Sequence, residues 1–74
     1  MIDFEGPVPL YVQVADDLAA KIASGELAPN RPIPSESRIS QEYGVGRSTA
    51  RKAINVLKSR GLVVGVVGRG TYVR

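Results

Sequence analysis

The chain has 74 residues, of which 43% are hydrophobic and 23% charged, so it suits one small folded domain and not a disordered segment. It contains neither cysteine nor histidine. This composition excludes disulfides, thiolate or imidazole metal sites and a histidine general base. We therefore expect no metal and no other cofactor.

Membrane and export signals are missing from the sequence pattern. No stretch approaches the roughly 20 apolar residues that span a bilayer. The first residues carry acidic side chains at Asp3 and Glu5, whereas a signal peptide begins with basic ones. We expect a cytoplasmic protein that has no membrane partner.

The net charge of +3 conceals a separation along the chain. Residues 1–42 carry three basic and seven acidic side chains, whereas residues 43–74 carry seven basic ones and no acidic one. A solvated surface normally mixes both signs. The separation indicates a surface that meets a polyanion, with chance in a short chain as the alternative.

The first helix is predicted from about residue 9 to about residue 24, behind an N-terminal arm of residues 1–8. Prolines at 7 and 9 exclude helix for the residues before them, and Pro9 suits the first helical position. Apolar residues then recur at helical spacing: Leu10, Tyr11, Val14, Leu18 and Ile22. Gly25 is the predicted stop, in the left-handed conformation.

A short second helix is predicted over residues 36–43. Residues 28–34 hold three prolines and must form an extended connector. Ser35 is a good N-cap because its hydroxyl can accept from an N–H of the next turn. The helix is expected to bury Ile39 and Tyr43, and Gly44 ends it with a positive φ.

The third helix is predicted from about residue 47 to Arg60, and its apolar stripe is Ala50, Ala53, Ile54 and Leu57. After Gly61 the period changes. Residues 62–67 and 71–73 read as strands around a turn at residues 68–70. The expected fold is mainly α with a small β-hairpin. It is a winged helix-turn-helix of three helices plus a wing over residues 9–74.

The outward face of the third helix favours DNA as the partner. After the core stripe is removed, the remaining residues are Arg47, Ser48, Thr49, Arg51, Lys52, Asn55 and Lys58. Arg47 and Arg51 lie one turn apart, and arginine can bind guanine O6 and N7 bidentately in the major groove. A merely solvated helix is the alternative, but such a face would normally include glutamate.

An enzyme and a winged helix that binds another partner are the two rival functions. An enzyme is not expected, because Asp16 and Asp17 point about 100° apart on a helix and read as solvated surface. A winged helix that binds protein or RNA is the second rival. RNA readers tend to expose stacking aromatics, but Tyr11, Tyr43 and Tyr72 fit core positions here.

The sequence motifs resemble the N-terminal DNA-binding domain of the GntR family of bacterial transcription regulators. The likeness covers residues 7–74. Its motifs are Pro9-Leu10-Tyr11-Val12-Gln13, Pro34-Ser35-Glu36, Tyr43-Gly44-Val45, Arg47-Ser48-Thr49-Ala50-Arg51-Lys52-Ala53, Gly61-Leu62-Val63 and Gly68-Arg69-Gly70-Thr71-Tyr72-Val73.

The resemblance implies sequence-specific binding to double-stranded operator DNA, with repression as the expected outcome. Residues that match Arg47, Thr49 and Arg51 would lie in the major groove, and Gly70 and Arg69 at the minor groove or its phosphates. The full predicted DNA-binding set is Ser35, Arg38, Gly46, Arg47, Ser48, Thr49, Arg51, Lys52, Asn55, Arg69 and Gly70.

Two positions depart from the family pattern. Family members often place arginine directly after the Pro-Ser-Glu run, but here Ser37 stands there and Arg38 follows. Whether Arg38 takes over that phosphate contact is open, because one residue rotates a helical side chain by about 100°. Gly46 stands where serine or threonine is common, and it is a weaker cap.

The resemblance also bears on assembly. Regulators of the family are homodimers on an inverted repeat and carry a larger effector-binding domain. We expect that effector domain to be absent from this chain, which would then be a monomer or weak dimer by itself.

Overall fold

Three helices and a β-hairpin follow one another in a computed structural model that describes residues 2–74. The helices are α1 (Leu10–Ser24), α2 (Glu36–Tyr43) and α3 (Arg47–Ser59). Strands β1 (Val63–Val66) and β2 (Gly70–Val73) pair antiparallel, with Val63 opposite Val73 and Val66 opposite Gly70. The predicted order of elements is confirmed.

The element ends differ from the sequence prediction by small shifts. Pro9 lies before α1 and not in its first turn, since its backbone is extended at φ −54° and ψ 143°. Its carbonyl accepts from the N–H groups of Val12 and Gln13. Helix α3 ends at Ser59, and Arg60 caps it instead of continuing it. The strands are also displaced by about one residue at their ends.

The hydrophobic core lies between α3 and the other elements. Its largest fully buried side chains are Leu18, Ile39, Leu57, Val14 and Val73, which come from all three helices and β2. Burying one such side chain contributes roughly 1.5–3 kcal/mol. The inner stripe of α3 is entirely in this core: Ala50, Ala53, Ile54 and Leu57. The opposite face of α3 is thereby fixed toward solvent.

The turn between α2 and α3 is closed as predicted. Gly44 has φ 66°, a left-handed conformation that costs a residue with a Cβ. The backbone N–H of Val45 donates to the carbonyl of Ser40 at 3.1 Å, and the Ser40 hydroxyl donates to the Val45 carbonyl. Val45 itself is buried, so the angle between the two helices is held by both hydrogen bonds and packing.

The connector before α2 joins the hairpin, which the sequence did not predict. The N–H of Asn30 donates to the Val73 carbonyl, and the Val73 N–H donates to the Arg31 carbonyl, both at 2.9 Å. Pro32 stands opposite Tyr72. A proline can occupy this edge because no further strand needs its missing N–H. The wing is therefore braced against the segment that leads into α2.

The N-terminal arm folds back on α1. The Gln13 side chain accepts from the Asp3 N–H at 2.6 Å and donates to the carbonyls of Asp3 and Val8, both at 2.8 Å. Ile2 packs against the core, and the Phe4 ring lies beside Gly44 while remaining more than half exposed. The arm is thus a structured part of residues 2–74.

Asp17 and Tyr43 correct two sequence interpretations. The sequence predicts Asp17 as solvated surface, but it accepts a hydrogen bond from the Tyr43 hydroxyl and pairs with Lys21 at 3.7 Å. The sequence predicts Tyr43 in the core, but it is half-buried, as are Tyr11 and Tyr72. Burial, and then the bond to Asp17, raises the pKa of Tyr43 far above its usual value. These polar contacts fasten α1 to α2.

None of the helices within residues 2–74 is both long and apolar enough to pass through a membrane.

Candidate nucleic-acid interface

The solvent face of α3 carries most of the predicted DNA-binding residues. Arg47, Ser48, Arg51, Lys52 and Asn55 are exposed, and Thr49 is half-buried. Because residues four apart share a face, Arg47, Arg51 and Asn55 form one row along the helix. That row lies opposite the buried stripe, as predicted by elimination of the core positions.

A concave groove of about 470 Å³ connects this face to the wing. Its lining comes from the connector, the start of α2, the outer side of α3 and the start of β2: Pro32, Ile33, Pro34, Ser35, Glu36, Arg51, Ile54, Asn55, Lys58, Arg69, Gly70 and Thr71. Five members of the predicted set thus share one concave surface: Ser35, Arg51, Asn55, Arg69 and Gly70.

Lys58, which lies on the outward face of α3 but outside the predicted DNA-binding set, belongs to this groove. Its Nζ lies 3.5 Å from the position that a Cβ would take at Gly65 of β1. The lysine therefore reaches from α3 to the wing. Its place on the row three residues beyond Asn55 was the available sequence signal.

The start of α2 is capped as predicted. The Ser35 hydroxyl accepts from the Arg38 N–H at 3.1 Å. The Arg38 guanidinium turns along its own helix, and its Nε donates to the Glu42 carboxylate at 2.7 Å. Ser35 lines the groove, but Arg38 lies outside the lining, and Ser37 is exposed.

The start of α3 has no side-chain cap, as expected for Gly46. Its carbonyl accepts from the Ala50 N–H at 3.0 Å, but it offers no side-chain oxygen to the amides of the first turn. Those amides and the positive end of the helix dipole favour an anion there. Arg47 and Ser48 are exposed on the same turn.

Lys52 lies on a different side of α3 from the groove. Its ammonium stands 5.8 Å from the centroid of the Tyr11 ring, a cation–π distance. Together with Asn55, Val56, Ser59 and Arg60 these two residues line a shallow surface between α1 and α3, which adjoins the groove at Asn55. The structure therefore separates Lys52 from Arg51, although the two are neighbours in sequence.

The wing tip is a tight turn that presents Arg69. The Arg69 N–H donates to the Val66 carbonyl at 3.0 Å, and Gly68 has φ 76° at the third turn position, which favours glycine. Val67 is fully exposed beside it. Arg69 and Gly70 stand at the end of the groove that begins at α3.

The groove contains an ion pair between Arg51 and Glu36 that the sequence analysis did not predict. The Arg51 Nε donates to Glu36 Oε2 and its Nη2 donates to Glu36 Oε1, each at 3.2 Å. The hydrogen bond from Arg51 lowers the pKa of Glu36 below its usual 4.5, and the nearby charges of Arg51, Arg47 and Lys58 act in the same direction. The two residues are 15 positions apart, so no local spacing points to the pair.

A tri-helical core with a braced hairpin and a basic face over α3 and the wing defines a winged helix-turn-helix domain. The family model described as bacterial regulatory proteins of the gntR family matches residues 10–73. The chain belongs to the GntR family of bacterial regulatory proteins.

Several curated relatives are transcription repressors. The chain is 39% identical over 72 residues to the HTH-type transcriptional repressor NagR of Bacillus subtilis (strain 168), covering 97% of this chain and 30% of that protein. It is 42% identical over 69 residues to the mannosyl-D-glycerate transport/metabolism system repressor MngR of Escherichia coli (strain K12), covering 93% and 29%. The chain thus spans about a third of the length of these relatives.

Solved structures share the fold over the whole chain. The DNA-binding domain of AraR in complex with operator ORX1 superposes with a TM-score of 0.87 at 39% identity, covering 100% of this chain and 95% of that one. The same domain with operator ORR3 gives 0.83 at 40% identity, covering 96% and 93%. DNA-binding transcription regulation is the function class of the domain, and binding of RNA or protein is not favoured.

Proposed function

We propose that this domain reads an operator with α3 in the major groove and the wing in the adjacent minor groove. The observation that carries the proposal is the groove in which Arg51, Lys58 and Arg69 share one concave lining. Cations from a helix and from a hairpin tip face the same side, which suits two adjacent grooves of one duplex.

Base reading is assigned to the row on α3. Arg47 and Arg51 are exposed and one turn apart, so each can bind a guanine O6 and N7 pair. Asn55 continues the row, and its amide suits adenine N6 and N7. Thr49 is half-buried, so its hydroxyl can contact only groups that lie directly against α3.

Phosphate positioning is assigned to the residues around this row. Short donors and open amides lie at the starts of α2 and α3, and cations flank them: Ser35, Arg38, Gly46, Ser48 and Lys52. Such contacts fix the register on the duplex and carry no sequence information themselves. Arg69 and Gly70 supply the wing contact.

Membership of the family supports a proposal for the wider assembly. We propose that residues 9–74 with the arm 1–8 are the reading domain of a homodimeric, non-catalytic and cytoplasmic repressor at an inverted repeat on nucleoid DNA. The effector site would lie outside these residues. A single domain would bind a half-site weakly, because a second linked domain raises the effective concentration at the other half-site.

Selection of duplexes from a random pool tests the proposal. We expect enrichment of a half-site, or an inverted repeat of it, with G·C pairs in register with Arg47 and Arg51. The matched control is the Arg47→Ala, Arg51→Ala variant, which should lose the G·C preference but keep salt-dependent binding. A pool without any enriched sequence would contradict sequence-specific reading.

A further inference from the structure

Glu36 is an unexpected residue to find in a groove that faces DNA. Among the groove-lining residues within 2–74 it is the single acidic one, and it shares the lining with Arg51, Lys58 and Arg69. Its side chain is 30% exposed, and its backbone is fixed because Ser35 caps the helix that begins at Glu36. A carboxylate here repels phosphates and so weakens binding to every duplex.

Fold stability does not account for this placement. The Arg51 side chain is 66% exposed, and exposed ion pairs contribute little to stability because water and salt screen them. The exposed Arg38–Glu42 pair shows the ordinary pattern, in which one nitrogen meets a carboxylate four residues along the same helix. The Glu36–Arg51 pair instead uses two nitrogens and bridges α2 to α3.

The geometry of the pair leaves a defined part of Arg51 unused. A guanidinium has five N–H groups in a planar fork. Glu36 accepts from Nε and from Nη2, which form the side edge of the fork. The end edge, formed by Nη1 and the second proton of Nη2, is left over. Two parallel N–H groups on one edge are what guanine O6 and N7 accept.

We propose that Glu36 is a specificity-determining positioning residue that holds the side edge of Arg51 and so presents its end edge to one guanine. The same bond keeps Arg51 from phosphates, so that the arginine adds to base reading more than to general affinity. The inference rests on the proposed function and names how one of its readers is aimed. The lowered pKa of Glu36 agrees with it, because the carboxylate is charged at neutral pH.

The test is Glu36→Gln, which keeps the side-chain shape and removes the charge. Fluorescence anisotropy titrations would use the selected duplex, its variants at the guanine assigned to Arg51, and a scrambled duplex of equal length. We expect binding to the scrambled duplex to tighten, with a salt slope steeper by about 0.9 for one extra phosphate contact. Discrimination at that guanine should fall at least about fivefold, the lower bound for one bidentate contact.

Two further variants separate charge from aim. Glu26→Gln removes the same charge beside Lys21, outside the groove, and should leave discrimination unchanged. Glu36→Asp keeps the charge but shortens the side chain by one methylene, which breaks the two-point contact. It should lose discrimination while the scrambled duplex still binds weakly. Unchanged circular dichroism would show that each variant is folded.

A double-mutant cycle with Arg51→Ala decides whether Glu36 acts through Arg51. In the Arg51→Ala background, Glu36→Gln should no longer change discrimination at that base pair. An equal loss in both backgrounds would overturn the inference, as would full discrimination in Glu36→Gln. Either result leaves the proposed function standing if the unaltered domain still prefers its selected site. A domain that binds all duplexes alike would contradict the proposed function itself.

Discussion

Two of the carboxylates that connect separate helices within residues 2–74 do so in opposite settings. Asp17 on α1 meets the half-buried Tyr43 hydroxyl, 26 residues away, with Lys21 nearby. Glu36 at the start of α2 meets the exposed Arg51 guanidinium, 15 residues away. In the first pair the phenol has a single O–H, and the contact uses it entirely. In the second pair the partner keeps spare N–H groups.

What such a pair can do depends on how many N–H or O–H donors of the carboxylate's partner are left unused. The Asp17 contact uses the single phenolic proton of Tyr43 and lies outside the basic groove, so it holds α1 against α2 and leaves no N–H or O–H donor of Tyr43 free. The Glu36 contact lies in the basic groove and leaves Arg51 able to bind something else. The larger contribution to stability and the proposed base reading are therefore assigned to different carboxylates, and each assignment can be tested separately.

The largest effect is expected for Arg51→Ala. It should lower discrimination at one base pair by about 1–3 kcal/mol, because one bidentate guanine contact is lost. The free energy of unfolding should change by no more than about 0.5 kcal/mol, as for most surface substitutions. Titration against single-base-pair variants and urea unfolding give the two numbers. Intact operator discrimination would contradict the docking of α3.

Tyr43→Phe should have the opposite effect to Arg51→Ala, with a loss of stability and no change in DNA binding. The loss of its hydrogen bond to the Asp17 carboxylate should lower the free energy of unfolding by about 1 kcal/mol. This is less than the roughly 1.5–3 kcal/mol of a hydrogen bond to a charged group, because the Asp17 side chain is 40% exposed. Affinity for the selected duplex should stay the same for the folded fraction. Tyr72→Phe is the matched control, because that hydroxyl has no hydrogen-bond partner within residues 2–74. Equal destabilisation by both variants would contradict the role given to Asp17.

Lys58→Ala and Lys21→Ala compare the same charge change on the two sides of the molecule. Lys58 lines the groove, so its loss should weaken binding to all sequences about equally and reduce the salt slope by about one unit. Lys21 lies among Asp17 and Glu26, and its loss should leave the slope unchanged. Titrations at several salt concentrations measure both. A changed sequence preference in Lys58→Ala would indicate a base contact instead.

The smallest effect concerns acid stability. The pKa of Glu36 in the folded state lies below its usual 4.5, chiefly through the hydrogen bond from Arg51. Its contribution to stability is therefore fully present above 4.5 and is lost as pH falls through the folded-state value. In thermal unfolding, the Tm of the unaltered chain should exceed that of Glu36→Gln by more at pH 7 than at about pH 3. A gap that widens in acid would have the wrong sign.

Local sequence patterns predicted the elements because each rests on a short-range rule. The stripe from Ala50 to Leu57 has helical period, Ser35 caps the helix after it, and Gly44 permits the left-handed turn. The basic face of α3 followed by elimination once its core side was known. These features need no knowledge of how the elements pack.

Contacts between distant segments could not be predicted in the same way. Pro32 opposite Tyr72, Asp17 with Tyr43, and Glu36 with Arg51 all depend on where separate elements meet. Periodicity says which side of a helix faces inward but not which residue of another helix it meets. Lys52 is a further example, because the sequence pattern assigns it to the same face as Arg51, whereas its ammonium lies over the Tyr11 ring.

The hydrogen bonds between the connector and β2 hold the wing at a fixed position relative to the helices. A lone two-stranded hairpin is marginally stable in water. Here the third segment adds bonds of 2.9 Å at Asn30, Ile33 and Val73, so the hairpin is tied to the same chain segment that positions α2. The separation between Arg51 on α3 and Arg69 on the wing is therefore set by the folded domain itself, before the proposed duplex binds.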